Sequence, residues 1–516
     1  MLIFKIIKMK KVFLTGIISV FLINSCSLDN ELQGLKEKSG LSDEQISSGA
    51  LEQAYLKLRL FSGNSGYFAV QEVTTDECAV PTRGSDWGDG GTLTDLHAHT
   101  FNGTNSNIVN SWNDLYQGLF AATEATGYSA PATRVAEGTM LQSFYIFLLT
   151  DLFGKVAHRD PNPVFSDNPL VWSRTEAIDA AITNLESKYS TMSSSSTPSV
   201  ANKYNAAALL AKMYLNRGVY KATEADGTPK VPTATDFTAA DMQKVIDNCN
   251  IVIGGPFSLA TNYFDTFKSN NATASEVVFS QANSPTDGGN LRGFVHMSTH
   301  YNQNPSGWNG FITLTDLYNK FSVGDSRLGG SLTGLTDVTG LKAGILVGQQ
   351  YDQSGNMLKE RPGGPGAPNL NFTQSFSLLT SGESSGMRVV KYIPDFVNPN
   401  QWDNDFVIFR LADVILMKAE AQFRKGDTAP ALATINALRA ARGVPTFATL
   451  SLQNILDERA RELYWETWRR QDQIRFGTFL NPVQERSNTS LPNRMIFPIP
   501  SLDLSANPNL TQNPGY

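Results

Sequence analysis

The chain has 516 residues, a formal net charge of −6, 41% hydrophobic side chains and 17% charged ones. That balance describes a globular protein rather than a disordered one, long enough for about two or three ordinary domains or one large one. The negative charge, with no basic run or zinc-finger spacing, argues against nucleic acid as a partner and mildly against a strongly anionic ligand.

In chain order, the first element is MKKVFLTGIISVFLINSCSLDNE, Met9 to Glu31. Lys10 and Lys11 precede an apolar run from Val12 to Ile23. A membrane helix needs about 20 apolar residues, and this run is too short. A basic start, a short apolar run and a small residue before a polar break describe an export signal. The break falls after Ser25, and Ile-Asn-Ser-Cys resembles a bacterial lipobox with Cys26 as the lipidated new N-terminus. Residues 1–25 are therefore read as signal peptide, with the true start at Met9, and residues 26–40 as a lipidated tether. Such an anchor holds the chain on a membrane without spanning it. Cys78 and Cys249 are the remaining cysteines. They could pair in an oxidising compartment, but two cysteines do not make a disulfide framework, and separate buried thiols are the favoured reading.

Leu41 to Leu60 reads as a helix with Ser42 as its N-cap. Gly63 to Asn107 has no helical period and reads as a long loop region. Helices resume at Ile108 to Ala125, Arg134 to Phe153 (with Gly154 as the stop) and Trp172 to Tyr189. After a serine-rich connector, Ser193 to Ser199, comes the helix starting at Lys203. Its Ala207, Leu210, Ala211, Tyr214, Leu215 and Gly218 share one face. Gly324 to Gly386 is rich in Gly, Ser and Pro and reads as a long structureless insert. From Arg410 to Gly443 two helices meet at Gly426, with Asp427 as cap of the second and Pro430 in its first turn. Small residues at the crossing and the Gly-Asp turn resemble a tetratricopeptide repeat. The expected fold is mainly α: about four helix pairs, each needing a neighbour to cover its open face, bearing a large loop-rich irregular part.

Several strings then add a family. AEGTMLQSFYIFLLTDLFGKV from Ala136, AAALLAKMYLNRGVY from Ala206, RLADVILMKAEA from Arg410, ERARELYWETWRRQDQIRFG from Glu458 and FPIPSLDLSANPNLTQNPGY from Phe497 resemble the SusD/RagB family of Bacteroidetes outer-membrane lipoproteins. The resemblance implies a SusD-like fold and a two-part division into residues 41–250, with a ligand loop and helix pairs, and 251–516, with long loops and the last pair. It implies surface capture of a glycan and delivery to a SusC-like TonB-dependent transporter. It also implies an outer-membrane position, lipid-anchored and facing the exterior.

Sugar rings present C–H faces and a hydroxyl rim, which aromatic rings and carboxylate, amide or guanidinium groups match. Trp87, among Gly84, Asp86, Gly88 and Asp89, sits in such a context, with Arg83 and Asp86 as donor fork and acceptor. The resemblance also places a ligand loop with an aromatic platform here. Trp308, between Gly307 and Asn309 with Tyr301 near, is the second candidate. The expectation is that Trp87 and Trp308 are two platforms on one exposed surface. Trp402 is a weaker candidate with a packing role as the alternative, and Trp112, Trp465 and Trp468 are read as helical scaffold residues.

No H-E-x-x-H, P-loop or dinucleotide fingerprint is present. Glu458, Glu462 and Glu466 fall four apart with Arg459 and Arg469, the pattern of a solvated or salt-bridged helix face. His97 and His99 lack a third ligand nearby. The aspartates around Trp87 lack the ordered spacing of a calcium loop, so no metal or cofactor is assigned. The chain is read as a glycan-binding protein and not an enzyme. A SusD-like protein taking a non-glycan nutrient such as peptide, and a surface glycan-degrading enzyme, stand as alternatives.

Overall fold

Helices form where the sequence supplies a cap, an apolar repeat and a stop. The computed structural model describes residues 40–160, 167–284, 291–397, 399–400 and 402–516. The signal, Cys26 and nearly all of the tether lie outside the described residues. Asp43–Tyr516 form one compact unit, and Met1–Ser42 are a separate one of which residues 40–42 are described.

The long helices are α1 (Asp43–Leu56), α2 (Ser106–Ala125), α3 (Ala132–Phe153), α4 (Arg174–Lys188), α5 (Lys203–Lys221), α6 (Ala239–Ile253), α7 (Leu411–Lys425), α8 (Thr428–Ala441), α9 (Leu452–Leu463) and α10 (Arg469–Arg475). Side-chain caps from Asn105, Ser173, Asn202, Thr238 and Ser451 satisfy first-turn N–H groups. Gly154 (φ 67°) and Gly426 (φ 97°) end α3 and α7 in the left-handed region. Each helix packs on the next: α1 on α2, and so on through α8, with α9 also against α7. The crossing of α2 and α3 needs Gly118, since a Cβ there would run into the Tyr145 ring.

The stack passes directly from α6 to α7, although residues 254–410 separate them in sequence. The loop-rich part is therefore built mainly from two insertions, residues 57–105 between α1 and α2 and residues 254–410 between α6 and α7. It holds short strands β1 (Val277–Gln281), β2 (Ala343–Leu346), β3 (Arg388–Val390) and β4 (Phe406–Arg410). β1 and β4 run antiparallel with Val277 opposite Arg410, and β2 and β3 antiparallel with Leu346 opposite Arg388. The first pair is buried along its whole length, which matches its continuous apolar run. Among the described residues no helix is long and apolar enough to cross a membrane.

Several expectations need correction. Gly63 to Asn107 contains two short helices, Tyr67–Glu72 and Thr92–Ala98. The insert from Gly324 to Gly386 holds β2 and other short strands and is not structureless. Asp427 does not cap α8; its carboxylate accepts from Lys425 Nζ at 2.9 Å. The one-face reading of α5 fails because residues 205–216 are all buried, enclosed by α4, α6, α7 and α3. Trp465 and Trp468 are core residues as expected but lie between α9 and α10, not on a helix. Trp402 is buried, in keeping with the packing alternative. Cys78 and Cys249 are separate, free and buried.

The carboxylates at 458, 462 and 466 follow the salt-bridged alternative, but in the interior. They are buried, not solvated, and Glu466 lies beyond the end of α9. Arg410 reaches Glu276 at 2.6 Å, Glu462 at 2.7 Å and Glu466 at 2.8 Å. Arg442 reaches Glu276 and Glu462, and Arg327 reaches Asp325, Glu458 and Glu462. Lys391 Nζ donates to Glu466 at 2.5 Å, and burial pulls its ammonium down to about 8. Burial alone would raise Glu462, but the guanidinium groups of Arg442, Arg410 and Arg327 hold it well below the usual carboxylate range. This network ties the second insertion to α9.

Candidate functional site

Three loop segments meet on one face because short bridges join them. Ala79 pairs with Ile312, Thr313 with Met387, and Thr82 exchanges backbone hydrogen bonds with Leu378 and Ser381. Arg83 and Asp86 bond each other's backbone at 2.9 Å in both directions, closing a tight turn over Gly84 and Ser85. Trp87 follows with φ 62°, a strained value for a bulky residue.

That strain is held by tertiary contacts. The Trp87 indole Nε1–H donates to the Trp308 carbonyl at 2.8 Å, and its ring stands edge-on to Phe311 at 5.6 Å. The ring rests on Gly310, where any Cβ would collide with it. Trp87 is thus half-buried, while Trp308 is 41% exposed. The two tryptophans share one face, with Trp87 beneath the strand of chain that displays Trp308. Trp308 itself is fixed by its N–H to the His296 carbonyl at 2.6 Å and by packing beside Gly293.

Tyr301 and Asp86 also come together: the phenol donates to Asp86 Oδ2 at 2.6 Å. That bond, with Arg361 nearby, lowers the Asp86 carboxyl from its ordinary value. Arg361, which sequence reasoning missed, lies flat over the Tyr301 ring at 3.5 Å. Its Nε donates to Glu383 at 2.6 Å and its Nη2 to Asp86 at 3.2 Å. Glu383 also accepts the Arg361 backbone N–H at 2.9 Å. His300 Nδ1 accepts from Asn302 N, so the proton sits on Nε2, which lies 3.2 Å from Glu383; burial holds this imidazole down to about 4.

Arg83 and Asn309 are brought to the same cluster but turned inward. Arg83 Nη2 donates to the Ser385 carbonyl at 2.8 Å and its Nη1 to the Gly382 carbonyl. Asn309, buried at φ 54°, accepts from Arg388 Nη2 at 2.6 Å and donates to the Glu383 carbonyl at 3.1 Å. Both shape the loop of residues 382–386 beneath the face. The missed residues Arg361 and Glu383 lay in the Gly/Pro-rich insert, where only their charge set them apart.

His97 is buried and bonds the Gln484 carbonyl, and His99 bonds Ser490 and the Thr74 carbonyl. Among the described residues no group of three or more His, Cys, Asp or Glu is placed to hold a metal ion. A cavity of about 500 Å³ lies elsewhere, walled by Trp112, Tyr116, Phe120 and Leu510. Its rim at Asp160 and Pro169 flanks residues 161–166, which fall outside the described residues.

Trp87→Phe keeps the ring and removes the bond to the Trp308 carbonyl. A net hydrogen bond is worth about 0.5–1.5 kcal/mol, so ligand affinity should fall about 2- to 10-fold by calorimetric titration. Unchanged affinity would show that Trp308 needs no support from below.

Comparison with known proteins shows what this chain is similar to. Residues 260–485 match the model described as SusD family. The starch-binding protein SusD of Bacteroides thetaiotaomicron is 24% identical and aligns over 98% of this chain and 99% of its own length. The SusD-like protein P25 of Formosa agariphila is 36% identical over 23% of this chain and 26% of its own. Among solved structures, a laminarin-binding SusD-like protein superposes with a TM-score of 0.69 at 22% identity, covering 92% of this chain and all of that one. Surface glycan-binding protein A of Bacteroides thetaiotaomicron, in complex with laminarihexaose, gives 0.68 at 17% identity, covering 91% of this chain and 99% of that one. The mainly helical, SusD-like architecture is thus that of a known fold. The SusD-family match falls on residues 260–485, and the chain along nearly its whole length is similar to SusD-like proteins.

Proposed function

We propose that this protein binds a glycan at the loop face carrying Trp308 and passes it, unmodified, to a SusC-like TonB-dependent transporter. The observation that carries this reading is the exposed Trp308 indole on the same loop that brings Tyr301 to Asp86, Arg361 and Glu383. A flat apolar face next to pre-oriented acceptors and donors suits sugar rings and hydroxyls. Relatives named for starch and laminarin support the glycan class. In this reading Trp308 is the platform, Asp86 and Tyr301 form the rim, and Trp87, Arg83 and Asn309 set the loop geometry.

Calorimetric titration against a panel of neutral and acidic polysaccharides, followed by product analysis after long incubation, tests it. A bound polymer recovered at full length is the expected result. Absence of any bound polymer, or shortened products that vanish when one carboxylate is changed, would overturn it.

The Cys26 anchor belongs to the same reading, with the mature chain on the outer membrane facing outward. Cys26→Ala should release the protein from membranes, and retention after a carbonate wash would contradict the assignment.

A further inference from the structure

We infer, resting on the glycan-binding reading above, that the ligand is an uncharged glycan, and that the pairing of Arg361 with Asp86 and Glu383 sets this preference. The Arg361 side chain is 47% exposed, yet its Nε, its Nη2 and the residue's backbone N–H all meet those two carboxylates. Asp86 is 37% exposed and Glu383 20% exposed, so each keeps a lone pair turned to solvent.

The other two arginines of the polar rim offer no outward charge. Arg83 and Arg388 are buried and spend their N–H groups on backbone carbonyls of Gly382, Glu383, Ser385 and Gly386, with Asn309 Oδ1 a further acceptor for Arg388. His300 is neutral near pH 7, since burial holds its imidazole down. On the flanks stand exposed Asp89, half-buried Glu360 bonded by Ser384, and half-buried Lys359. Carboxylates at 86, 89, 360 and 383 thus face three cations, Arg361, Lys359 and half-buried Arg292, whose Nε meets His296 beside Trp308 at 3.4 Å.

A uronate or sulfate would meet net negative charge and would have to break the Arg361 pairs to find a partner. Sugar hydroxyls, as donors, instead meet ionised acceptors already held in place, the stronger kind of hydrogen bond.

The test uses the mature chain with laminarin, starch and galactomannan as neutral polymers and alginate and polygalacturonate as acidic ones, at about 20 and about 500 mM NaCl. The expected result is binding of a neutral polymer with Kd changing less than about 2-fold between the salts, and no binding of the acidic pair. The Asp86→Asn/Glu383→Gln double variant frees Arg361 and should gain acidic-polymer binding that high salt abolishes. If its thermal midpoint shows it unfolded, Arg361→Gln serves instead. That variant should lose about tenfold in neutral-polymer affinity and still reject the acidic polymers. Salt-sensitive binding of an acidic polymer by the unaltered protein, or by Arg361→Gln, would overturn the inference while leaving glycan binding intact. No binding of any polymer would overturn the glycan reading itself.

Discussion

Trp308→Ala should weaken glycan binding about 10- to 300-fold and shift the thermal midpoint only slightly. Covering the exposed part of the indole with a sugar face gives roughly 1–2 kcal/mol from area and about 0.5–1.5 kcal/mol from ring geometry. Together these are about 1.5–3.5 kcal/mol, at 1.4 kcal/mol per tenfold. Stability suffers less, because Trp308 is 41% exposed and its packing is confined to one side, near Gly293 and His296. Trp465, fully buried, is the control. Trp465→Ala should destabilise by about 3–5 kcal/mol. Titration calorimetry and differential scanning calorimetry on the two variants separate platform from core. A Trp308→Ala protein with normal affinity and a much lower midpoint would reverse the assignment.

Arg410→Ala should destabilise the fold by about 3–5 kcal/mol, because it leaves Glu276, Glu462 and Glu466 buried without their shared cation. Against a total of about 5–15 kcal/mol, that is enough to deplete folded protein at growth temperature. The network also fixes the pH profile. Against the upward push of burial, Arg442, Arg410 and Arg327 depress Glu462, while Arg459 and Arg475 bring Asp472 down to about 2. A carboxyl with a depressed folded value stabilises fully above its unfolded value, near 4. That stability is lost as pH falls through the folded value. Denaturant midpoints should therefore hold from pH 7 to about 5 and fall steeply between about pH 4 and 2. A midpoint that stays level down to pH 2 would contradict this.

The same network explains which parts of the sequence were readable. The strings from Arg410 and Glu458 are recognisable because their charged residues are locked in mutual ion pairs at the seam between helices and insert. Arg459 joins Asp413 and Asp472, Arg469 joins Asp76, and Arg470 joins Asp151. They reveal the scaffold and say nothing of the ligand. Helices α2, α3, α4, α5 and α7 announced themselves through period and stops. Helix α6 was passed over, and α5 misled because enclosure on every side overrides a one-face pattern.

Loops carry no period, so the face a side chain takes depends on contacts far along the chain. Glycine-flanked Trp87 and Trp308 look alike in sequence. Only the hydrogen bond between them, across residues 87 and 308, makes one the support and the other the exposed ring. Arg83 and Asn309 were rightly grouped with the loops, but their partners at residues 382–388 turn them inward. Arg361 was hidden in RPGGPGAPN, where composition alone says turn.

The most direct test of where this protein acts is a crystal structure with a bound oligosaccharide, soaked after the polysaccharide panel has selected one. A sugar ring lying on Trp308, with hydroxyls directed at Asp86 and Glu383, is the expected result. An oligosaccharide seated instead in the cavity between Trp112 and Phe120, with Trp308 left in solvent, would contradict it.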